Sequence, residues 1–162
     1  RECLHVIHER DRVPVVADTR EVVDRPLSVD GVAMTISCVS MGNPHAVAFV
    51  DDVQAFPLER VGPLVERHPW FPRRTNFEIV RVLDRDHLDM RVWERGAGIT
   101  LACGTGACGV MAAASRHGLV NDSVDVSLPG GHLHLVWDGV GSVMMTGPAR
   151  FVFDGLWPLA RS

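Results

Sequence analysis

The 162-residue chain contains no lysine and no tyrosine, so all 16 of its basic residues are arginine. That removes a Schiff-base amine, a phosphate-loop lysine and a phenolic general acid together. The all-arginine usage accords with a GC-rich genome and by itself assigns no function. Positive charge is also short, with 20 acidic residues, a net charge of −4 and a pI near 6.0. A nucleic-acid surface needs clustered positive charge to release counterions, so no nucleic-acid partner is expected. No apolar run approaches the roughly 20 residues that span a bilayer, so no membrane role is expected either. Cys3, Cys38, Cys103 and Cys108 form neither a C-x-x-C pair nor a metal-finger spacing, and no metal site is expected. With no secretory leader in view, a reducing, cytoplasmic setting is expected. The apolar content of 46% suits one domain with a sizeable core.

What is present reads as an α+β chain without internal repeats. Residues 1–30 are the least regular, with only 13–17 strand-like. From Val32 onward, β-branched and apolar runs at 32–40 and 45–50 flank a Gly42-Asn43-Pro44 turn. Residues 57–67 place Leu58, Val61, Leu64 and Val65 at helical spacing, and Pro63 within the run predicts a short or kinked helix. Residues 76–83 and 87–93 form a strand pair around Asp84-Arg85-Asp86, the second alternating with a period of two. The alanine-rich run after Cys103, ending at Gly118 with Arg116 and His117 in its last turn, is the clearest helix and a buried one. Strands are expected at 123–128, 132–137, 142–146 and 150–153. The expected architecture is a mostly antiparallel sheet of about eight strands wrapped around the central helix.

Several residues carry possible chemistry. Cys103 stands in a glycine-rich turn at the start of that helix, where free backbone N–H groups and the helix dipole favour an anion. The expected consequence is a thiol of lowered pKa, in the range of roughly 3.5–7.5. Cys108, more than a turn further on, reads as helix packing, and Cys3 and Cys38 lack activating context. In Met41-Gly42-Asn43-Pro44-His45, Asn43 is either a turn cap or a ligand, and His45 opens an apolar strand as a core or functional histidine. Glu94 and Arg95 end a strand before Gly96-Ala97-Gly98, either as a solvated strand end or as a general acid or base beside a carboxylate clamp. Arg73-Arg74-Thr75-Asn76 is a further polar cluster. His132 and His134 share a strand face without an evident third ligand and read as a solvent-facing stripe.

In this order the segments resemble the C-terminal half of the diaminopimelate epimerase family. The matching text is SMGNPHAVAFVDDV at 40–53, GPLVERHPWFPRRTNFEIV at 62–80, RVWERGAGITLACGTGACG at 91–109, LPGGHLHLVW at 128–137 and MTGPARFVF at 145–153. The resemblance implies one of two similar lobes, each a sheet around a central helix, with the active site between them. It implies inversion of one α-carbon of L,L-diaminopimelate to the meso isomer by two cysteines on opposite faces, with no cofactor. Position by position, Cys103 matches the catalytic cysteine of the second lobe. Gly104 and Thr105 match the helix-start groups that hold the substrate α-carboxylate, as a helix N-terminus can. Asn43, Asn76 and Arg95 match substrate-binding residues. Glu94 matches a residue that contacts substrate and serves catalysis, and His45 a histidine that supports it.

Two departures qualify the resemblance. Ile99 replaces the acid of the family's usual ERGAGET, and no glycine- and asparagine-rich loop carrying the other catalytic cysteine is found. The expectation is a lobe at residues 13–148, a strand and tail at 149–162 and a divergent segment at 1–12. Its expected partners are diaminopimelate and either a second copy or a separate first lobe, with Arg1 at the start suggesting a truncated or processed chain. A cofactor-independent racemase of another amino acid and a non-catalytic substrate-binding module are the rival readings.

Overall fold

A computed structural model describes residues 2–4 and 22–156. These residues form ten strands and two helices. In chain order they are β1 (Glu2–Leu4), β2 (Arg25–Val29), β3 (Val32–Ser40), β4 (Pro44–Phe49), α1 (Leu58–Glu66), β5 (Asn76–Val82) and β6 (His87–Glu94). β7 (Gly98–Thr100), α2 (Gly104–Arg116), β8 (Ser123–Leu128), β9 (Gly131–Val136) and β10 (Val143–Thr146) follow. One sheet runs in the order β1-β10-β9-β8-β6-β5-β4-β3-β2, with β7 also paired to β6. The pairs are antiparallel except β4–β5 and β6–β8. The architecture is α+β, with a mostly antiparallel sheet and α2 packed in its concavity against β3, β4, β5, β9 and β10.

The two faces of the sheet serve different cores. β4 and β5 are buried almost throughout, as strands covered on both sides must be. Period-two alternation sends Ala46, Ala48, Phe77 and Ile79 to the core under α1, and Val47 and Val80 to the core around α2. α1 contributes Leu58, Val61 and Val65, follows Pro57 at its N-cap and carries Pro63 inside its nine residues. It is short, as Pro63 predicts. α2 is buried from residue 106 to 114 and ends at His117, followed by Gly118 in the left-handed region with φ +67°. Glycine is favoured there because a Cβ crowds the backbone.

Most expected elements are present to within a residue or two of their ends, and three strands were not expected. β2 joins β3 through Asp30-Gly31, both at positive φ (51° and 76°), a two-residue hairpin turn. β7 begins inside the stretch expected to be only a glycine turn. β1 pairs with β10. One expected strand is absent: residues 147–156 have no regular structure, and Phe151, Val152 and Phe153 are each at least 80% exposed. An extended segment becomes a strand only beside a hydrogen-bonding neighbour, and no described strand flanks this one. The strand-like stretch 13–17 lies outside the described residues. Among the described residues no helix is long and apolar enough to cross a membrane.

Candidate active site

The site forms where the β3–β4 turn, the β6–β7 turn and the start of α2 meet beneath β5. Cys103 is the N-cap of α2, with extended backbone (φ −141°, ψ 107°), and its Sγ accepts from the Gly106 N–H at 3.3 Å. The sulfur thus takes one of the donors that a helix start leaves unsatisfied. Thr105 Oγ1 lies 3.6 Å from the same sulfur and accepts from Asn43 Nδ2 at 3.4 Å. The other end of that amide, Asn43 Oδ1, is 3.0 Å from His45 Nε2. His45 Nδ1 is 2.6 Å from Glu78 Oε1, both side chains being fully buried. One polar chain therefore runs from β5 through β4 and the turn to the Cys103 thiol.

Glycines on α2 make this approach possible. A Cβ on Gly109 would stand 3.4 Å from the His45 ring, and one on Gly106 would stand 2.8 Å from Glu78 Oε1 and 3.1 Å from Cys103 Sγ. The last two distances place the carboxylate within about 6 Å of the sulfur. At Gly104 the near neighbour is the Met145 methyl from β10, 3.0 Å from where a Cβ would be.

Burial changes what the thiol is. Cys103 is 8% exposed, and removal from water pushes its pKa up, reinforced by the nearby Glu78 and Glu94. The Thr105 hydroxyl and the Gly106 N–H pull the other way and are outweighed. The lowered pKa expected from position alone is therefore corrected: in this chain Cys103 rests as the protonated thiol. The two groups aimed at its sulfur still favour the thiolate whenever it forms. Glu78, wholly buried, has its carboxyl pushed up by desolvation, with His45 opposing.

The remaining expected residues divide into braces and open groups. Asn76 is 5% exposed and both ends of its amide are occupied: Nδ2 donates to the Pro44 carbonyl at 2.9 Å and Oδ1 accepts from the Arg95 N–H at 2.8 Å. It ties the two turns together. Glu94 is half-buried and accepts from Thr100 Oγ1 at 2.5 Å, while the exposed Arg95 donates to the Arg73 carbonyl at 3.0 Å. Ile99 sits in β7 opposite Trp93. Cys108 is buried in α2, and Cys38 is half-buried on β3. His132 and His134 face β8, bonded to Ser127 at 3.1 Å and Asp125 at 2.7 Å.

Two acids escaped the sequence reading. Glu78 sits in TNFEIV, where alternation from Asn76 puts it on the same face, and that spacing was the available signal. Glu66, 2% exposed at the end of α1, accepts from Trp93 Nε1 at 2.7 Å and from the Gly96 N–H at 3.2 Å. It lies 3.4 Å from an Arg74 guanidinium nitrogen, which supplies the opposite charge. Glu66 anchors the β6–β7 turn, and nothing in its helical spacing distinguished it from a solvated acid.

The sequence profile for diaminopimelate epimerase matches residues 37–152. The Moorella thermoacetica diaminopimelate epimerase is 51% identical over 152 residues, covering 93% of this chain and 54% of that protein. Diaminopimelate epimerase 1 of Nostoc sp. is 54% identical over 136 residues, covering 83% of this chain and 49% of its own length. The chain thus spans about half the length of the curated relatives it matches. Among solved structures, a hydroxyproline epimerase from Agrobacterium vitis shares the fold with a TM-score of 0.58 at 15% identity, over 76% of this chain and 44% of that one. A profile match across most of the chain and identities above 50% lead to one conclusion: the chain belongs to the diaminopimelate epimerase family.

Proposed function

We propose that this chain is one lobe of a cofactor-independent diaminopimelate epimerase, in which Cys103 exchanges the α-proton of the substrate. The observation that carries the proposal is Cys103 at the α2 N-cap, with the Thr105 hydroxyl and the Gly106 N–H turned toward its sulfur. A sulfur held this way can give its proton to a planar carbanion on one face and keep the resulting thiolate bound. The first-turn N–H groups of Gly104 and Thr105 would receive the substrate α-carboxylate, aligned with the helix dipole. Arg95, exposed at the turn beside Glu94, would exchange its bond to the Arg73 carbonyl for a second carboxylate. Asn43 and Glu94 line the approach, the buried His45 orders it through Asn43, and Asn76 holds the two turns that present them.

Inversion requires an acid and a base on opposite faces of one carbon, and this lobe supplies one of them. The opposing thiol comes, in this reading, from the other half of the relatives' length, carried by the same polypeptide or a partner. The exposed Phe151, Val152 and Phe153 are the natural place for such an association, or for a second copy of this chain. A working free thiol also calls for a reducing compartment, the cytoplasm.

Incubating the chain with diaminopimelate in heavy water, beside a Cys103→Ala control, tests the assignment. Deuterium uptake at the α-carbon that disappears in the control is the expected result. Uptake that survives in the control places the base elsewhere and overturns it. No uptake in either sample, with diaminopimelate still shifting resonances of Arg95 and Thr105, favours a substrate-binding module instead.

A further inference from the structure

Glu78 has no role in the proton transfer just described, yet among the described residues no carboxylate is more deeply buried. It is fully buried, its Oε1 is 2.6 Å from His45 Nδ1, and among the described residues its Oε2 has no partner. The other ring nitrogen of His45 settles where the protons are. Nε2 is 3.0 Å from Asn43 Oδ1, and Nδ2 of the same amide is 3.4 Å from Thr105 Oγ1, to which it donates. An amide oxygen only accepts, so Nε2 carries a proton. One more proton must then lie on the 2.6 Å contact, because Nδ1 and a bare carboxylate oxygen both without hydrogen would repel. Whether it sits on nitrogen or on oxygen, histidine and glutamate together carry no net charge.

Neutrality matters because of what surrounds the carboxylate. Cys38 from β3 and Cys103 from α2 lie in its field, and each loses its proton less readily beside a negative Glu78, while Glu94 from β6 in turn makes Glu78 harder to ionise. A bare charge here would oppose formation of the Cys103 thiolate from within about 6 Å. A single proton shared with His45 removes that opposition, and the protonated Nε2 on the far side of the ring fixes the Asn43 amide and through it Thr105.

We propose that Glu78 is a positioning residue of this site: it shares one proton with His45, and the net-neutral pair holds Asn43 and Thr105 against the Cys103 end of α2. Its use in catalysis rests on the proton-transfer reading above, whereas the shared proton does not.

The experiment separates the two. In the chain labelled with 15N-histidine, His45, assigned through His45→Gln, should show a far-downfield proton on the Nδ1 contact together with a protonated Nε2. In Glu78→Gln, which keeps the shape and can donate to Nδ1, the downfield proton should vanish while Nε2–H persists. A wild-type spectrum without the downfield proton, or with a bare Nε2, overturns the shared proton, whatever the variant does. In the heavy-water assay Glu78→Leu, which cannot hold Nδ1 at all, should lower kcat for α-proton exchange by about tenfold to a hundredfold, with KM held within about twofold. Exchange at the wild-type rate in Glu78→Leu overturns the positioning role. A wild-type chain that shows the downfield proton but exchanges nothing overturns the proton-transfer reading and the catalytic use of the pair with it.

Discussion

On the α1 side of the sheet, Leu58, Val61 and Val65 pack onto Phe77, Ile79 and Ile36, an apolar jigsaw in which Phe77 is the largest wholly buried side chain. On the α2 side the same two strands present His45, Asn76 and Glu78, and the helix that covers them shows glycine and alanine. The contrast follows from period two in β4 and β5, where each residue on one face has a neighbour of opposite purpose on the other. Bulk on the α1 side supplies the transfer free energy that holds the sheet. Small residues on the α2 side leave room for polar groups that bulk would exclude, and the apolar side stabilises the strands that carry them. Stability and chemistry are thus divided between the two faces of the same strands.

The largest test of that division is Phe77→Ala. A fully buried phenylalanine removed from a packed core leaves a cavity, and the expected loss is about 3–5 kcal/mol by urea unfolding. Because Phe77 points away from α2, any folded fraction should keep the His45 ring spectrum unchanged. A loss below about 1 kcal/mol would mean that the α1 side does not carry the stability assigned to it.

Two glycines sharpen the contrast at smaller cost. Each lies in a helix, where alanine is favoured by about 1 kcal/mol. A Cβ on Gly62 of α1 would stand 2.7–2.8 Å from three atoms of the Trp93 ring, which Glu66 holds through Nε1. Gly62→Ala should therefore lower stability by about 1–2 kcal/mol net, since the ring cannot turn aside. A Cβ on Gly106 of α2 meets the ends of two side chains, Glu78 Oε1 and Cys103 Sγ. Gly106→Ala should change stability by less than about 1 kcal/mol, with the helix gain offsetting the crowding, and should abolish α-proton exchange. If Gly106→Ala instead unfolds the chain and Gly62→Ala leaves it intact, the two sides have been assigned the wrong way round.

Local patterns explain how much was legible beforehand. α2 announced itself through Ala112-Ala113-Ala114 and the glycine-rich turn before it, and Cys103 through its place at that boundary. β2 was missed although Asp30-Gly31 is a strong hairpin signal, because the strand before it lacks a regular alternation. The expected strand at 150–153 failed for a different reason: strand propensity says nothing about whether a neighbour exists. The direction of the Cys103 shift was misread because position reports the helix dipole and its donors, whereas burial and two acids from distant strands come only with the fold. Glu66 was illegible for the same cause, and Glu78 was marked by nothing beyond its alternation with Asn76. A buried acid is recognised by its partners, and His45, Trp93 and Gly96 lie 33, 27 and 30 residues away in sequence.

The smallest effect comes from one thiol on each side. Cys108 lies in the α2 core and is pushed up to about 11, while Cys38 packs against the α1 core and is pushed up to about 12, both from 9.0 and both chiefly by burial. A folded-state value above the unfolded one means that the native chain keeps a proton which the unfolded chain releases. Stability from these thiols is therefore complete below pH 9 and is lost as pH rises, until about 11 for Cys108 and about 12 for Cys38. Each thiol contributes a downward slope of at most about 1.4 kcal/mol per pH unit. Urea unfolding between pH 8 and 10.5 should show wild-type stability falling, with Cys108→Ala and Cys38→Ala each removing part of the slope. Cys103 gives a built-in contrast, because the Thr105 hydroxyl and the Gly106 N–H offset part of its burial, and Cys103→Ala should flatten the slope less than Cys108→Ala does. If Cys103→Ala flattens it more, the groups around its sulfur do not stabilise the thiolate, and the α2 side loses the feature that set it apart.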